Sequence, residues 1–322
     1  MEFKHAISIL FSNMGYTLKI LVWILIALAL TLGVGCAIMI PIAKVISATT
    51  DATYWFGEMM ARIDGFLDGS LSVRGLLTEG TDCLENVFKA IATNKGATCG
   101  LVFGGLFVYA FYCFVFGLSY FPTADVINKL MGSNLRMGFA SSMAINLKNA
   151  AKYSAARLSI TLPIDLIFAT IMGLVVFGLF QVIYIFVLPI ALVIGILFCT
   201  LRAMLFSGWL PRMLYHPEDR VYVNFLRSLI YVKSNFGGYF KAYILTFFVS
   251  YVLMVICALP TGGLMSIILP SIYFFLLRTV ELVGYYKVKG YNFYVDANNV
   301  INTMEYGYRP DMQAEDFSDD KH

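Results

Sequence analysis

Long runs without a single charge dominate the chain. Between Lys19 and Lys44 lie 24 uncharged residues, between Lys95 and Asp125 lie 29, and 36 separate both Asp165 from Arg202 and Lys241 from Arg278. About 20 apolar residues cross the hydrocarbon of a bilayer, and a charge at its centre costs roughly 2.5–3.5 kcal/mol on insertion scales. Each shorter run therefore predicts one spanning helix. At about 1.5 Å per residue the 36-residue runs overshoot roughly 30 Å of hydrocarbon, so each predicts a helical hairpin. Leu259-Pro260-Thr261-Gly262-Gly263 marks the turn of the second hairpin, whereas only Gly178 and Gln181 mark that of the first.

Charge placement supplies an independent count. Lys129, Arg136, Lys148, Lys152 and Arg157 precede the first hairpin, and Arg212, Arg220, Arg227, Lys233 and Lys241 follow it. Under the positive-inside rule both segments are cytoplasmic, so an even number of crossings separates them. Arg278, Lys287 and Lys289 place the end of the chain on the same side. Six spans follow, with limits near 18–46, 98–121, 160–180, 183–209, 239–259 and 263–286, and both termini inside. On this map 18 of the 23 Lys and Arg lie inside, leaving Lys44, Arg62, Arg74, Lys89 and Lys95 outside. An uncleaved first span is expected, because the apolar run after Lys4 is too long for a signal-peptide core.

Composition agrees with the pattern. Of the 322 residues 59% are hydrophobic and 13% charged, and the mean hydropathy is +0.76, too apolar for a chain that must cover its core with water-compatible surface. A net charge of +3 excludes an extended basic nucleic-acid binder, and six cysteines in 322 residues exclude a disulfide-dense miniprotein. The expected class is an all-α integral membrane protein of a cytoplasmic (plasma) membrane, bacterial in outline. Its six helices would form three hairpin-like units with interfacial amphipathic helices. The expected divisions are 1–17 (inner interfacial segment), 18–46 (first span), 47–97 (outer helical segment), 98–121 (second span) and 122–159 (basic amphipathic segment). There follow 160–209 (first hairpin), 210–238 (second basic segment), 239–286 (second hairpin) and 287–322, an acidic and largely disordered inner tail.

The outer segment from Ser47 to Ala97 carries seven acids against four bases. Asp51 is placed to cap a helix bearing Trp55, Phe56, Met59, Met60, Ile63 and Phe66, and Asp82 with Glu85 resembles a capping box before Val87, Phe88 and Ile91. It reads either as a partner-binding cap or as two amphipathic helices lying on the outer interface. Cys83 and Cys99 share this side, where an oxidising exterior would allow a disulfide. The other four cysteines fall inside spans, as small packing residues.

Ser12-Asn13-Met14-Gly15 with Lys19 precedes the first span, and Ser234-Asn235-Phe236-Gly237 with Lys241 precedes the fifth. The shared register suggests repeated units, each an interfacial helix followed by a hairpin, although basic threading points alone produce such likeness. A looser instance ends at Arg157, after the stripe Phe139, Met143, Leu147, Ala151, Ser154 and Leu158.

Four ionisable residues fall at depth. Asp165 and Arg202 meet at similar depth if their spans form an antiparallel hairpin, and Arg278 with Glu281 share one face of the sixth span. The four form the candidate polar site, either a substrate or proton station or a neutralised set that fixes helix register. No HExxH, GxSxG, Walker A or CxxC motif occurs, and His5, His216 and His322 all lie outside the spans, so no enzyme activity, metal or cofactor is expected. Expected partners are anionic headgroups on the inner side and a protein at the outer segment or acidic tail. No nucleic-acid partner is expected, and oligomeric state is not encoded legibly. The leading functional reading is a transporter or transporter-associated component with a cavity between hairpins. The competing one is a non-catalytic scaffold or lipid-interacting envelope protein.

Overall fold

The structure is a computed structural model that describes residues 2–183, 187–258, 260, 261, 263, 265–296 and 299–303. It contains α1 (Glu2–Ser12), α2 (Gly15–Thr49), α3 (Ala52–Leu67), α4 (Val73–Thr93), α5 (Lys95–Gly117) and α6 (Tyr120–Ser133). There follow α7 (Phe139–Ile183), α8 (Val187–Phe206), α9 (Trp209–Tyr215), α10 (Val221–Ser234), α11 (Phe236–Ala258), α12 (Met265–Lys289), β1 (Phe293–Asp296) and β2 (Asn299–Ile301). Among the described residues six helical stretches are long and apolar enough to cross a membrane, carried by α2, α5 with α6, α7, α8 with α9, α11 and α12. The chain is an all-α, multi-pass membrane protein.

Helix boundaries follow local chemistry. Both Ser-Asn motifs fall at breaks: Asn13 and Met14 form the turn between α1 and α2, and Asn235 separates α10 from α11. Asn13 Nδ2 donates back to the Ile9 carbonyl at 3.0 Å, the competition between side chain and backbone that ends helices at asparagine. The looser instance at Arg157 lies instead within α7, which runs unbroken from Phe139, so the basic stripe and the third span form one rod. Gly178 and Gln181, expected at the first turn, lie within α7; residues 184–186, Leu259 and Gly262 of the second turn and residues 304–322 of the tail lie outside the described residues. Of that second turn, Gly263 adopts φ +86°, a left-handed backbone that glycine alone takes without strain.

By its contacts the chain divides into two compact units, Met1–Ile26 with Cys113–His322, and Ala27–Tyr112. In the larger unit α12 is the axis: 61% of its membrane segment is enclosed by protein, against 6–22% for the other five. Its neighbours fit closely. A Cβ on Gly284 would collide with the Tyr239 ring of α11, so these helices meet where one lacks a side chain. The expected inner segment 1–17 is not a loose interfacial strip, because Ala6, Ile9 and Leu10 of α1 are at most 5% exposed and pack into the core. Likewise α6 buries Phe121, Ala124, Ile127 and Met131.

In the smaller unit α2 and α5 touch through small residues: a Cβ on Gly104 would lie 3.0 Å from Ile42 and 3.1 Å from Ile38. The α3–α4 hairpin begins differently from the sequence expectation. Asp51 makes no side-chain cap, and Ser72 rather than Asp82 caps α4, accepting from Gly75 N at 3.1 Å. An earlier cap lets the helix propagate through Asp82 and Glu85, which become interior positions.

One ion pair ties the chain's beginning to its axis. Lys287 Nζ donates to Glu2 Oε1 at 2.7 Å, and Asn235 Nδ2 reaches the same oxygen at 3.4 Å. Burial alone would raise the Glu2 pKa, but the hydrogen bond and charge of Lys287 outweigh it and hold the carboxyl at about 2, below its ordinary 4.5. A carboxyl with a depressed folded pKa stabilises above its unfolded value and loses that stabilisation as pH falls through the folded value. Docking of α1 is therefore expected to weaken between pH 4.5 and about 2, and Glu2→Gln should weaken it at neutral pH. Hydrogen exchange over residues 2–12 reads both effects, and unchanged protection in the variant contradicts the tie.

Candidate functional site

The four ionisable residues at depth form two pairs. Arg202 Nη2 of α8 donates to Asp165 Oδ2 of α7 at 2.7 Å, with the side chains 30% and 13% exposed. Arg278 and Glu281, one turn apart on α12, bond directly and are 5% and 1% exposed. The i,i+3 spacing puts both on one helix face, and enclosure of α12 removes both from lipid. Cys83 on α4 and Cys99 on α5 are free thiols, Cys83 buried and Cys99 exposed.

Around Arg278 and Glu281 the structure assembles groups that sequence reasoning assigned elsewhere. The Arg278 guanidinium lies 4.7 Å from the Tyr120 ring centre, and Arg157 approaches that ring at 3.9 Å and Phe206 at 5.2 Å. Aromatic faces thus receive two cations beside the Glu281 carboxylate. Tyr153, Tyr239 and Tyr243 are fully buried, and Ser207 Oγ donates to Tyr243 Oη at 2.6 Å.

A further cluster fixes the segment after α8. Buried Arg212 donates from Nε to Asn224 Oδ1 at 3.1 Å and from Nη1 to Tyr231 Oη at 2.9 Å, while Trp209 Nε1 donates to the Val221 carbonyl at 2.9 Å. On α6, Asp125 Oδ2 accepts from Ser142, Asn146 and Lys129 at 2.7, 3.0 and 3.0 Å. Each of these charges is met by short polar contacts, the arrangement expected of register-fixing groups.

A cavity in this unit is of different character. An open cavity of about 720 Å³ lies among α1, α8, α11 and α12. Its walls are almost wholly apolar, including Phe3, Ile7 and Phe11 of α1, Gly195 of α8, Met254 of α11 and Pro270 of α12. Its volume falls within the roughly 300–1,000 Å³ typical of small-ligand sites, but it lacks the convergent polar groups that such sites use for orientation. Among the described residues no group of three or more His, Cys, Asp or Glu side chains is arranged to hold a metal. No protein-family model, no curated protein and no solved structure matches the chain.

Removing one partner from a buried pair leaves the other charge uncompensated, at about 3–5 kcal/mol. Glu281→Gln is expected to destabilise by that amount in thermal unfolding of the detergent-solubilised chain. Asp165→Asn should cost less, because its pair is partly exposed, and adding Arg202→Gln should recover part of the loss. A double variant at least as unstable as Asp165→Asn alone contradicts the pairing.

Proposed function

We propose that the chain is a non-catalytic, lipid-interacting membrane protein whose cavity among α1, α8, α11 and α12 holds lipid acyl chains. The observation that carries this reading is the cavity's chemistry: hydrocarbon walls beside spanning helices, with the charges at depth paired. A transporter of polar solutes needs polar groups along its route, and this cavity lines none of the Asp165, Arg202, Arg278 and Glu281 side chains.

The membrane setting determines how such a cavity works. Lipid tails are as apolar as leucine, so a chain moving from bilayer to cavity gains nothing from the hydrophobic effect. It is held by dispersion, each contact worth only about 0.1–0.2 kcal/mol but many made at once, and by the cost of leaving the space empty. In this reading the protein belongs to the plasma membrane, with both termini cytoplasmic and three hairpin-like units entered from amphipathic helices. Its inner basic surface, including Lys148, Lys152 and Arg220, attracts anionic headgroups at about 1 kcal/mol per cation.

Gly195 offers a direct test, since a Cβ there meets nothing within 4 Å and a larger side chain enters the cavity without collision. Gly195→Phe is expected to lower the phospholipid retained per chain about tenfold, equivalent to roughly 1.4 kcal/mol of binding. Native mass spectrometry after mild detergent extraction reads the retained lipid, and thermal unfolding checks that the fold is unchanged. Equal retention by the variant and the parent contradicts the proposal.

A further inference from the structure

Among the described residues of its unit, the α3–α4 hairpin presents an exposed apolar face. On α3, Phe56, Met60 and Leu67 are 52%, 42% and 75% exposed, and on α4, Leu84 and Phe88 are 42% and 63% exposed. At about 100° per residue the three α3 side chains fall within one narrow stripe, as do the two on α4. Opposite these stripes Arg62 bridges the helices to Glu79 at 3.2 Å, while Asp64 and the Glu85–Lys89 pair, 2.7 Å apart, border them. Five large hydrophobic side chains presented together, opposite a salt-bridged face, mark a contact surface rather than scattered exposure.

Chain connectivity identifies what that surface meets. Two residues separate α2 from α3 and one, Asn94, separates α4 from α5, so both ends of the hairpin run directly into spanning helices. Asn94 Nδ2 donates to Thr49 Oγ1 at 2.9 Å and pins those ends together. No linker allows the hairpin to leave the membrane edge for a distant partner. From residue 52 to 93 there are six acids (Glu58, Asp64, Asp68, Glu79, Asp82, Glu85) and three bases (Arg62, Arg74, Lys89), a net of −3. Attraction to anionic headgroups is therefore excluded as the recognition force, and insertion of hydrocarbon is left.

We infer that the α3–α4 hairpin lies on the leaflet at its own end of α2 and α5, inserting Phe56, Met60, Leu67, Leu84 and Phe88 among the acyl chains. It recognises the apolar interior of that leaflet without regard to headgroup charge. The inference is independent of the lipid cavity, which involves other helices.

The test places a photoreactive aromatic residue at the face. Full-length chain carrying Phe56→benzoylphenylalanine, or the same change at Phe88, is reconstituted in phosphatidylcholine vesicles, irradiated and weighed intact. Adducts of one phospholipid are expected at both positions, with several-fold lower yield when the probe replaces Glu79, which lies opposite the apolar stripe of α4. Replacing part of the phosphatidylcholine with phosphatidylglycerol should leave the yields unchanged. Crosslinking to a second chain, yields no higher than at position 79, or yields that follow the anionic fraction each overturn the inference.

Discussion

A charge withdrawn from water into hydrocarbon must be neutralised and enclosed, and this requirement organises the larger unit. Arg278 and Glu281 sit on the one spanning helix that protein surrounds, and the other elements meet there. Arg157 comes from α7, Tyr120 from α6, Tyr239 and Tyr243 from α11, and Ser207 follows α8. Close approach at Gly284 brings α11 against this axis. The result is a bundle in which polar groups specify how helices pack.

The same requirement separates the two kinds of space in the molecule. Where charge is buried, at Arg278 and Glu281, the two bond each other and the Tyr120 ring packs against the guanidinium. Where volume is left open, among α1, α8, α11 and α12, the walls are hydrocarbon and suited to lipid. A protein that moved ions or polar solutes would combine these features, exposing charged groups to a wet cavity. Their segregation is the physical reason for preferring a lipid partner over a transported solute.

Much of the membrane architecture was legible because it rests on absence of charge, a property that short-range sequence reading captures well. Six spans follow from the charge-free runs bounded by Lys19, Lys44, Lys95, Asp125, Asp165, Arg202, Lys241 and Arg278. Asp165 and Arg202, 37 positions apart, face each other for the geometric reason that antiparallel helices bring equal depths together. Less legible was anything set by long-range packing. The burial of α1 depends on its partner α12, more than 250 residues away, so its amphipathic pattern read equally well as a surface helix. Arg157 read as one of the inner-face cations, and no local signal distinguishes an aromatic ring against lipid from one against a guanidinium. In the α3–α4 hairpin Ser72 caps α4 in place of the expected Asp82, three residues after the turn at Gly69.

Ser207 gives the most direct access to the central claim that the charged cluster is sealed. Its hydroxyl touches Tyr243 beside the Arg278–Glu281 pair, it is 1% exposed, and cysteine replaces serine with little change in shape. In intact vesicles treated from either side with a membrane-impermeant methanethiosulfonate, Ser207→Cys should remain unmodified in the mass spectrum of its peptide while native Cys99, exposed on α5, reacts. Rapid modification at position 207 would reveal water reaching the cluster and contradict the account.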